Sequence, residues 1–292
     1  MSLASRRRRP PPTHRRSSAS SAIAAPPEYC FVVGCPRSGT TELTRLLHAQ
    51  PELVLGMERY RGVLYQLAER GELDRFGPEL FEPQRFLKFR LDDDRFRDHY
   101  RSAALRFAAG PVRYVGDKVP HTTSIVLALA RNFSHARFVF IYRDLERVAS
   151  SYCRRARDPN DPWPQEATCS LAVEHWHEAF ASGDAITAAI GEDRLFVVKF
   201  EQLFGGDRRV VEAMFGWLGV DYRIGAIRTF ENQVSAWKHL RTRPLGLTVE
   251  ERRLVNDAID HRTLARYEVR AAARWSTAPP PDRGAAPGQP LR

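Results

Sequence analysis

The sequence has little that would place the chain in a membrane or bind a metal. It contains no run of 18 apolar residues, which excludes an ordinary transmembrane helix. Only four of its 292 residues are cysteine, without a Cys-x-x-Cys pair or a histidine at metal-ligand spacing. This scarcity argues against zinc and predicts a reduced, cytoplasmic chain that uses no metal. The apolar patch SAIAA near the N-terminus is too short for a signal peptide.

Acidic residues are missing from residues 1–27, which carry six arginines. This segment supplies +6 of the net charge of +10, so the rest of the chain is only mildly basic and indicates no nucleic-acid partner. Residues 1–27 and the Pro-rich residues 276–292 are predicted to be disordered tails. Residues 28–275 are predicted to form one domain.

Short apolar runs alternate with helical patterns along this domain. Strands are predicted at 29–34, 136–142 and 195–200, and helices at 40–50, 121–132, 145–155, 171–190 and 208–218. The alternation predicts an α/β fold, a parallel central sheet flanked by helices. The charged region 56–110 is interpreted as helices and loops that cover the site.

The segment CPRSGTT (35–41) links the first predicted strand to the first predicted helix. Backbone N–H groups at a helix start attract anions, and serine and threonine hydroxyls add donors. An ordinary helix cap would explain the same residue types. A nucleotide-hydrolysing P-loop has the form G-x-x-x-x-G-K-[ST]. Gly34 and Gly39 have that spacing, but Thr40 replaces the lysine, and the basic residue is Arg37.

The string PRSGTT closely resembles the 5′-phosphosulfate loop of sulfotransferases that use 3′-phosphoadenosine 5′-phosphosulfate (PAPS). It is similar to the tyrosylprotein, carbohydrate and many bacterial members. The resemblance implies their P-loop-like fold, PAPS as co-substrate and no metal. It also implies that Arg37 places positive charge on the phosphosulfate as its bond breaks. The implied binding residues of this loop are Pro36, Arg37, Ser38, Gly39, Thr40 and Thr41.

Two further segments resemble nucleotide-binding elements of the same family. FVFIYRDLERVASSY (138–152) is similar to the element that holds the 3′-phosphate, which implies Arg143 and Ser151 as ligands. Ser150 is the neighbouring alternative. FVVKFEQLF (196–204) is similar to a strand whose aromatic residue lies near adenine, which implies Phe200, although strand packing also explains that residue. Trp237 and Lys238 fall in the late segment that closes over the nucleotide in relatives, but the family's Arg-Lys-Gly element is absent.

The catalytic candidates also come from resemblance. GDKVPHT (116–122) looks like the Lys-x-Pro segment of tyrosylprotein and heparan sulfate sulfotransferases, which implies that Lys118 acts on the transferring group. Two residues compete for the role of general base. Glu58 follows a stretch similar to one in the relatives that use glutamate, and His121 lies three residues after Lys118.

The resemblance implies transfer of a sulfuryl group from PAPS to a hydroxyl, or an amine, by in-line displacement. The acceptor could be a small molecule, a carbohydrate or a peptide, and the oligomeric state is not indicated. The alternatives are a P-loop kinase, which Thr40 argues against, and a non-catalytic nucleotide-binding module.

Overall fold

The computed structural model describes residues 26–88, 95–110, 112–120, 123–162, 164–166 and 168–276. Five strands form one sheet: β1 (Glu28–Val33), β2 (Leu53–Met57), β3 (Tyr114–Lys118), β4 (Arg137–Tyr142) and β5 (Leu195–Lys199). Their order is β2-β3-β1-β4-β5, and every neighbouring pair is parallel. The predicted parallel α/β sheet is therefore confirmed. The predicted tails lie outside the described residues, apart from a residue or two at their inner ends, so their disorder stays a prediction.

Helices follow the strands in the described chain. They are α1 (Thr40–His48), α2 (Arg61–Glu69), α3 (Pro83–Leu87), α4 (Arg97–Ala109), α5 (Thr123–Asn132), α6 (Leu145–Ala156), α7 (Cys169–Ile190), α8 (Phe200–Phe204), α9 (Arg208–Leu218), α10 (Ile224–Leu240), α11 (Val249–Asp257) and α12 (His261–Ser276). Three short 3-10 helices are Leu73–Arg75, Pro78–Phe81 and Glu192–Arg194. Among the helices of the described residues, none is both long and apolar enough to cross a membrane.

The sheet is buried on both faces because consecutive strand residues point in opposite directions. In β1, Phe31 and Val33 join one apolar cluster, with side chains from α5, α6 and α7. Cys30 and Val32 join the other cluster, with side chains from α1, α9 and α10. Two covered faces explain why β1 reads as a continuous apolar run rather than as an alternating one.

Two of the strands, β2 and β3, were not predicted from the sequence. β2 and β3 are five residues each, and both contain a glycine. Gly116 fits in β3 because a Cβ at this position would lie 1.7 Å from the carbonyl oxygen of Cys30 in the neighbouring strand. The strand predicted at 195–200 ends at Lys199 in the structure, because Phe200 begins α8. The other predicted elements agree with the structure within two residues at each end, where those ends are described.

The expectation of fully reduced cysteines is wrong. Cys153 on α6 and Cys169 at the start of α7 form a disulfide, with their Cα atoms 5.7 Å apart. The packing of α6 against α7 brings together these two residues, which are 16 apart in sequence. Cys30 and Cys35 are buried free thiols. The cytoplasmic location, which was based on reduced cysteines, stays a prediction.

Candidate active site

The carboxyl ends of parallel strands meet at one edge of the sheet, which is where ligands bind in open α/β folds. Each strand end here places a predicted site residue or segment at that edge. They are the loop 35–41 after β1, Glu58 after β2, Lys118 in β3, Arg143 after β4 and Phe200 after β5. Apart from Cys35 and Ser38 of the loop, these residues line one cleft of about 510 Å³, to which α6 adds Ser151 and α10 adds Trp237.

The loop 35–41 has a backbone that few sequences could adopt. Gly39 has a φ of +91°, and a Cβ there would lie 2.4 Å from a ring carbon of Phe200. Arg37 has a φ of 69° and Glu58 a φ of 53°, and these are the non-glycine residues with positive φ in the described chain. Such conformations are uncommon and cluster at functional sites. Both exceptions are predicted site residues that line the same cleft.

The loop also has the polar groups that an anion needs. Helix α1 begins at Thr40 with no side-chain cap on its N-terminus. Its first N–H groups and its dipole are therefore available to a negatively charged group. Ser38 lies within the loop but is fully buried and is not among the residues that line the cleft. Its part in binding an anion stays a prediction.

Arg143 is oriented from several sides. Its Nη1 donates to the Arg37 carbonyl oxygen at 3.2 Å, and its Nε lies 3.7 Å from a Glu201 carboxylate oxygen. Its guanidinium carbon lies 4.2 Å from the ring centroid of Phe200 and 4.8 Å from that of Trp237. Burial lowers the pKa of Arg143 to about 10, so the group stays charged at neutral pH. This arrangement presents a fixed planar cation to the cleft.

Ser151 and Ser150 occupy different environments. Ser151 is buried, and its hydroxyl oxygen accepts a hydrogen bond from Nε of Arg37 at 3.1 Å. The Ser150 hydroxyl instead donates to the carbonyl oxygen of Leu245. Both line the cleft, but Ser151 is linked directly to the phosphate-type loop. The choice of Ser151 over Ser150 as a ligand of the 3′-phosphate stays a prediction.

Glu58 and Lys118 form an ion pair at the opposite end of the loop. The Lys118 ammonium donates to a Glu58 carboxylate oxygen at 2.6 Å and to the Thr41 hydroxyl at 3.0 Å. The Lys118 side chain is only 6% exposed and that of Glu58 is 26% exposed. A buried ammonium is therefore shared between a carboxylate and the first turn of α1.

Asp117 holds the loop after β2 against the end of β3. Its carboxylate accepts hydrogen bonds from the backbone N–H groups of Tyr60 at 3.1 Å and Lys118 at 2.8 Å. Burial raises the pKa of Asp117 to about 6, and these hydrogen bonds oppose that rise. Because Tyr60 closely follows Glu58, Asp117 fixes the distance between the two members of the ion pair.

Phe200 and Trp237 form the apolar wall of the cleft. Their ring centroids are 4.8 Å apart and the rings are nearly perpendicular. Phe200 therefore packs against Gly39, Arg143 and Trp237 at once, so packing alone accounts for its burial. Both rings nevertheless border the cleft and offer apolar surface to a planar base.

The residues that line the cleft differ in part from the predicted site residues. His121 lies outside the described residues, so the structure does not place it. Lys238 is not among the residues that line the cleft, whereas Arg147 and Arg243 line it and were not predicted. Arg147 lies in the first turn of α6, only four residues after Arg143, and this closeness in sequence is the signal that could have revealed it. Arg243 gave no sequence signal, because its segment is positioned by long-range contacts such as that from Arg147 to the Arg241 carbonyl oxygen at 2.7 Å.

The fold and cleft define an α/β protein with a cleft lined by cationic side chains at the carboxyl edge of its sheet. A model of the sulfotransferase family matches residues 30–223, and the chain belongs to this family. It is 27% identical over 201 residues to protein-tyrosine sulfotransferase 2 of Gallus gallus, covering 66% of this chain and 51% of that protein. It is 30% identical over 122 residues to protein-tyrosine sulfotransferase 1 of Danio rerio, covering 39% of this chain and 32% of that protein. The chain thus spans about half or less of the length of these curated relatives.

Solved sulfotransferase structures are also similar. The sulfotransferase domain from the curacin biosynthetic pathway has a TM-score of 0.49 and 15% identity, covering 80% of this chain and 98% of that chain. The sulfotransferase from Alicyclobacillus acidocaldarius has a TM-score of 0.47 and 17% identity, covering 86% of this chain and 96% of that chain. Mouse sulfotransferase SULT7A1, complexed with PAP, has a TM-score of 0.44 and 12% identity, covering 87% of each chain.

Proposed function

We propose that the chain is a PAPS-dependent sulfotransferase that transfers a sulfuryl group to a hydroxyl, or an amine, of its acceptor. The observation that carries this proposal is the presence of two adjoining cationic grips in one cleft. Arg37 lies in the loop before α1 with Lys118 beside that loop, and Arg143 lies just before α6 with Ser151 in the middle of that helix. A nucleotide with a phosphosulfate at one end and a 3′-phosphate elsewhere needs such a pair of grips.

In this proposal, the loop 35–41 binds the phosphosulfate through the open N-terminus of α1 and the Ser38 hydroxyl. Arg143 and Ser151 bind the 3′-phosphate, since a guanidinium matches phosphate oxygens in plane. Phe200 and Trp237 contact adenine. Arg37 bridges the two grips, because its side chain donates to Ser151 while its carbonyl oxygen accepts from Arg143.

The proposed chemistry is an in-line displacement at sulfur. The acceptor oxygen forms a bond to sulfur while the bond from sulfur to the bridging phosphate oxygen breaks, which releases 3′-phosphoadenosine 5′-phosphate (PAP). The acceptor proton passes to the Glu58 carboxylate. Lys118 lies between that carboxylate and Thr41, so it can stabilise negative charge on the leaving oxygen. No metal takes part in this scheme.

The identity of the base can be tested directly. Glu58 faces both Lys118 and the cleft, which supports its assignment, and His121 remains the alternative. Glu58→Gln should lower kcat and leave PAP affinity nearly unchanged, and His121→Ala should have the smaller effect on kcat. If His121→Ala abolishes turnover and Glu58→Gln does not, then His121 is the base.

The donor proposal is tested by calorimetric titration of the whole chain with PAP, AMP and ATP–magnesium. Micromolar binding of PAP, with AMP much weaker, would support both grips. Preference for ATP–magnesium would instead indicate a kinase, and binding of none of the three would overturn the nucleotide-dependent function. The names of the curated relatives add peptide tyrosine to the acceptors to be tested. The cytoplasmic location is kept as a proposal only, since the Cys153–Cys169 disulfide contradicts the reduced cysteines on which it was based.

A further inference from the structure

Glu201 is a carboxylate neighbour of Arg143, the residue proposed to bind the 3′-phosphate. Oε1 of Glu201 lies 3.7 Å from Nε of Arg143. Arg143 lines the cleft, whereas Glu201 is not among the residues that line it. Glu201 instead lines a separate surface depression, which Lys199 and α12 also border. Arg143 is therefore shared between the cleft and a carboxylate that solvent reaches from another surface.

The ion pair between Arg143 and Glu201 is loosely matched. Its shortest distance of 3.7 Å is too long for a hydrogen bond. Nε of Arg143 and Oε2 of Glu201 are both buried, and neither has a hydrogen-bond partner among the described residues. Oε1 of Glu201 accepts only a long hydrogen bond, from the backbone N–H of Asp144 at 3.4 Å. Since buried charged groups are normally well paired, this carboxylate loses few contacts when it takes up a proton.

The other charged side chains around Glu201 are already paired with one another. The Lys199 ammonium lies 3.1 Å from an Asp144 carboxylate oxygen and 3.0 Å from a Glu268 carboxylate oxygen. Lys199 is thus divided between two other carboxylates, one after β4 and one on α12. Arg143 is therefore the cation on which the charge of Glu201 mainly depends.

The proton of Glu201 titrates near neutral pH. Burial, and secondarily Asp144, raise the pKa of Glu201 to about 7. Arg143 and Lys199 oppose this rise. Burial also raises the pKa of the neighbouring Tyr142, whose hydroxyl stays protonated in this range. About half of the Glu201 side chains therefore carry a proton near pH 7.

A phosphate group bound to Arg143 would shift this equilibrium in one direction. The phosphate neutralises the guanidinium and brings further negative charge towards Glu201. Both effects favour the protonated carboxyl over the carboxylate. By linkage, protonation of Glu201 then strengthens phosphate binding by the same factor.

We propose that Glu201 makes the affinity for the nucleotide depend on pH, because its carboxylate and the 3′-phosphate compete for Arg143. The inference rests on the proposed function and adds a means of regulation at the same site. When the nucleotide binds, Glu201 takes up one proton from solvent through the depression beside α12, and when PAP leaves, that proton returns to solvent. Glu201 is a positioning residue in this scheme, since it acts on the nucleotide through Arg143. A rise in pH favours release of PAP.

The first test counts protons. The full chain is titrated with PAP by calorimetry at pH 7.5, in two buffers that differ in ionisation enthalpy, and the difference in heat gives the protons taken up. A phosphate monoester has a second pKa of about 6, so the nucleotide itself contributes little at this pH. If PAP raises the pKa of Glu201 by about one unit, the uptake should be about half a proton. AMP, which lacks the 3′-phosphate, should give less than about a fifth of that uptake.

The second test follows affinity against pH. PAP should bind wild type roughly fivefold more weakly at pH 8.5 than at pH 6.5, since each unit of pKa shift allows at most about a tenfold change. Glu201→Gln imitates the protonated carboxyl, so it should bind PAP at pH 8.5 roughly fivefold more tightly than wild type and take up no proton. A gain of affinity is not what a damaged structure produces. Glu192→Gln is the matched control, because Glu192 also pairs with an arginine, Arg270 at 3.0 Å, and does not line the cleft.

The outcomes separate this inference from the proposed function. If PAP binds without proton uptake, or if AMP gives the same uptake as PAP, the role of Glu201 is wrong and the donor function stands. The same holds if Glu201→Gln takes up as many protons as wild type and Glu192→Gln. The comparison of PAP with AMP needs only wild type, so it decides the matter even if Glu201→Gln does not fold. If PAP itself does not bind, the sulfotransferase proposal fails and this inference fails with it.

Discussion

Replacing Arg143 with alanine should selectively weaken the binding of nucleotides that carry a 3′-phosphate. The guanidinium is held in place by the Arg37 carbonyl oxygen, Glu201, Phe200 and Trp237, so little side-chain entropy is lost when a ligand binds. A hydrogen bond to a charged group contributes about 1.5–3 kcal/mol. The expected loss in PAP affinity is therefore roughly 10- to 150-fold.

The substitution removes the ion-pair partner of the buried Glu201 carboxylate. Burial, and secondarily Asp144, raise the pKa of Glu201 to about 7, while Arg143 opposes that rise. Without Arg143, Glu201 can take up a proton near neutral pH instead of remaining as an unpaired buried charge. The variant should therefore fold, and the loss of affinity can be measured on a native chain.

Calorimetric titrations of wild type and Arg143→Ala with PAP and with AMP form the assay. AMP lacks the 3′-phosphate, so its affinity should change by less than about threefold, while PAP loses the full factor. Arg228→Ala is the matched control, because Arg228 is exposed on α10, the helix that carries Trp237. Equal losses for PAP and AMP would refute the assignment of Arg143 to the 3′-phosphate, as would unchanged PAP affinity.

Three more substitutions test other parts of the site. Glu58→Gln should lower kcat by roughly 10²- to 10⁴-fold, the usual contribution of a general base, with PAP affinity within about twofold in titration; a kcat near wild type would remove Glu58 from the mechanism. Gly39→Ala should weaken PAP binding and lower Tm, because its Cβ would meet the Phe200 ring at a φ of +91°, at a cost of about 1–3 kcal/mol; unchanged Tm and affinity would contradict the close packing of the loop. Glu201→Gln should change the pH dependence of stability. The folded chain keeps the Glu201 proton up to a pKa of about 7 and the unfolded chain loses it near 4.5, so wild-type stability falls between these pH values by at most about 3 kcal/mol. Urea unfolding at pH 5 and 7.5 should show a larger decrease in wild type than in the variant, which keeps the contribution of Asp117; equal decreases in the two chains would contradict the raised pKa of Glu201.

The sequence by itself determined the local elements with strong patterns. The apolar runs of β1, β4 and β5 and the periodic helices α6, α7 and α9 follow from short-range preferences, because burial on both faces or on one stripe sets their spacing. The loop 35–41 could also be predicted from the sequence, because its arginine, its glycine and its hydroxyl residues are consecutive. Arg143 and Ser151 were predicted from the resemblance of residues 138–152 to an element of the sulfotransferase family.

Only the tertiary structure decided which distant residues meet. β2 and β3 are each interrupted by a glycine and were not predicted. The parallel pairing of β3 with β1 on one side and with β2 on the other brings Glu58 and Lys118 to the same edge, where they are joined at 2.6 Å. The Cys153–Cys169 disulfide arises in the same way from helix packing. Such contacts depend on strand order and on the crossing of helices. Those are properties of the whole core, and no short segment of the sequence contains them.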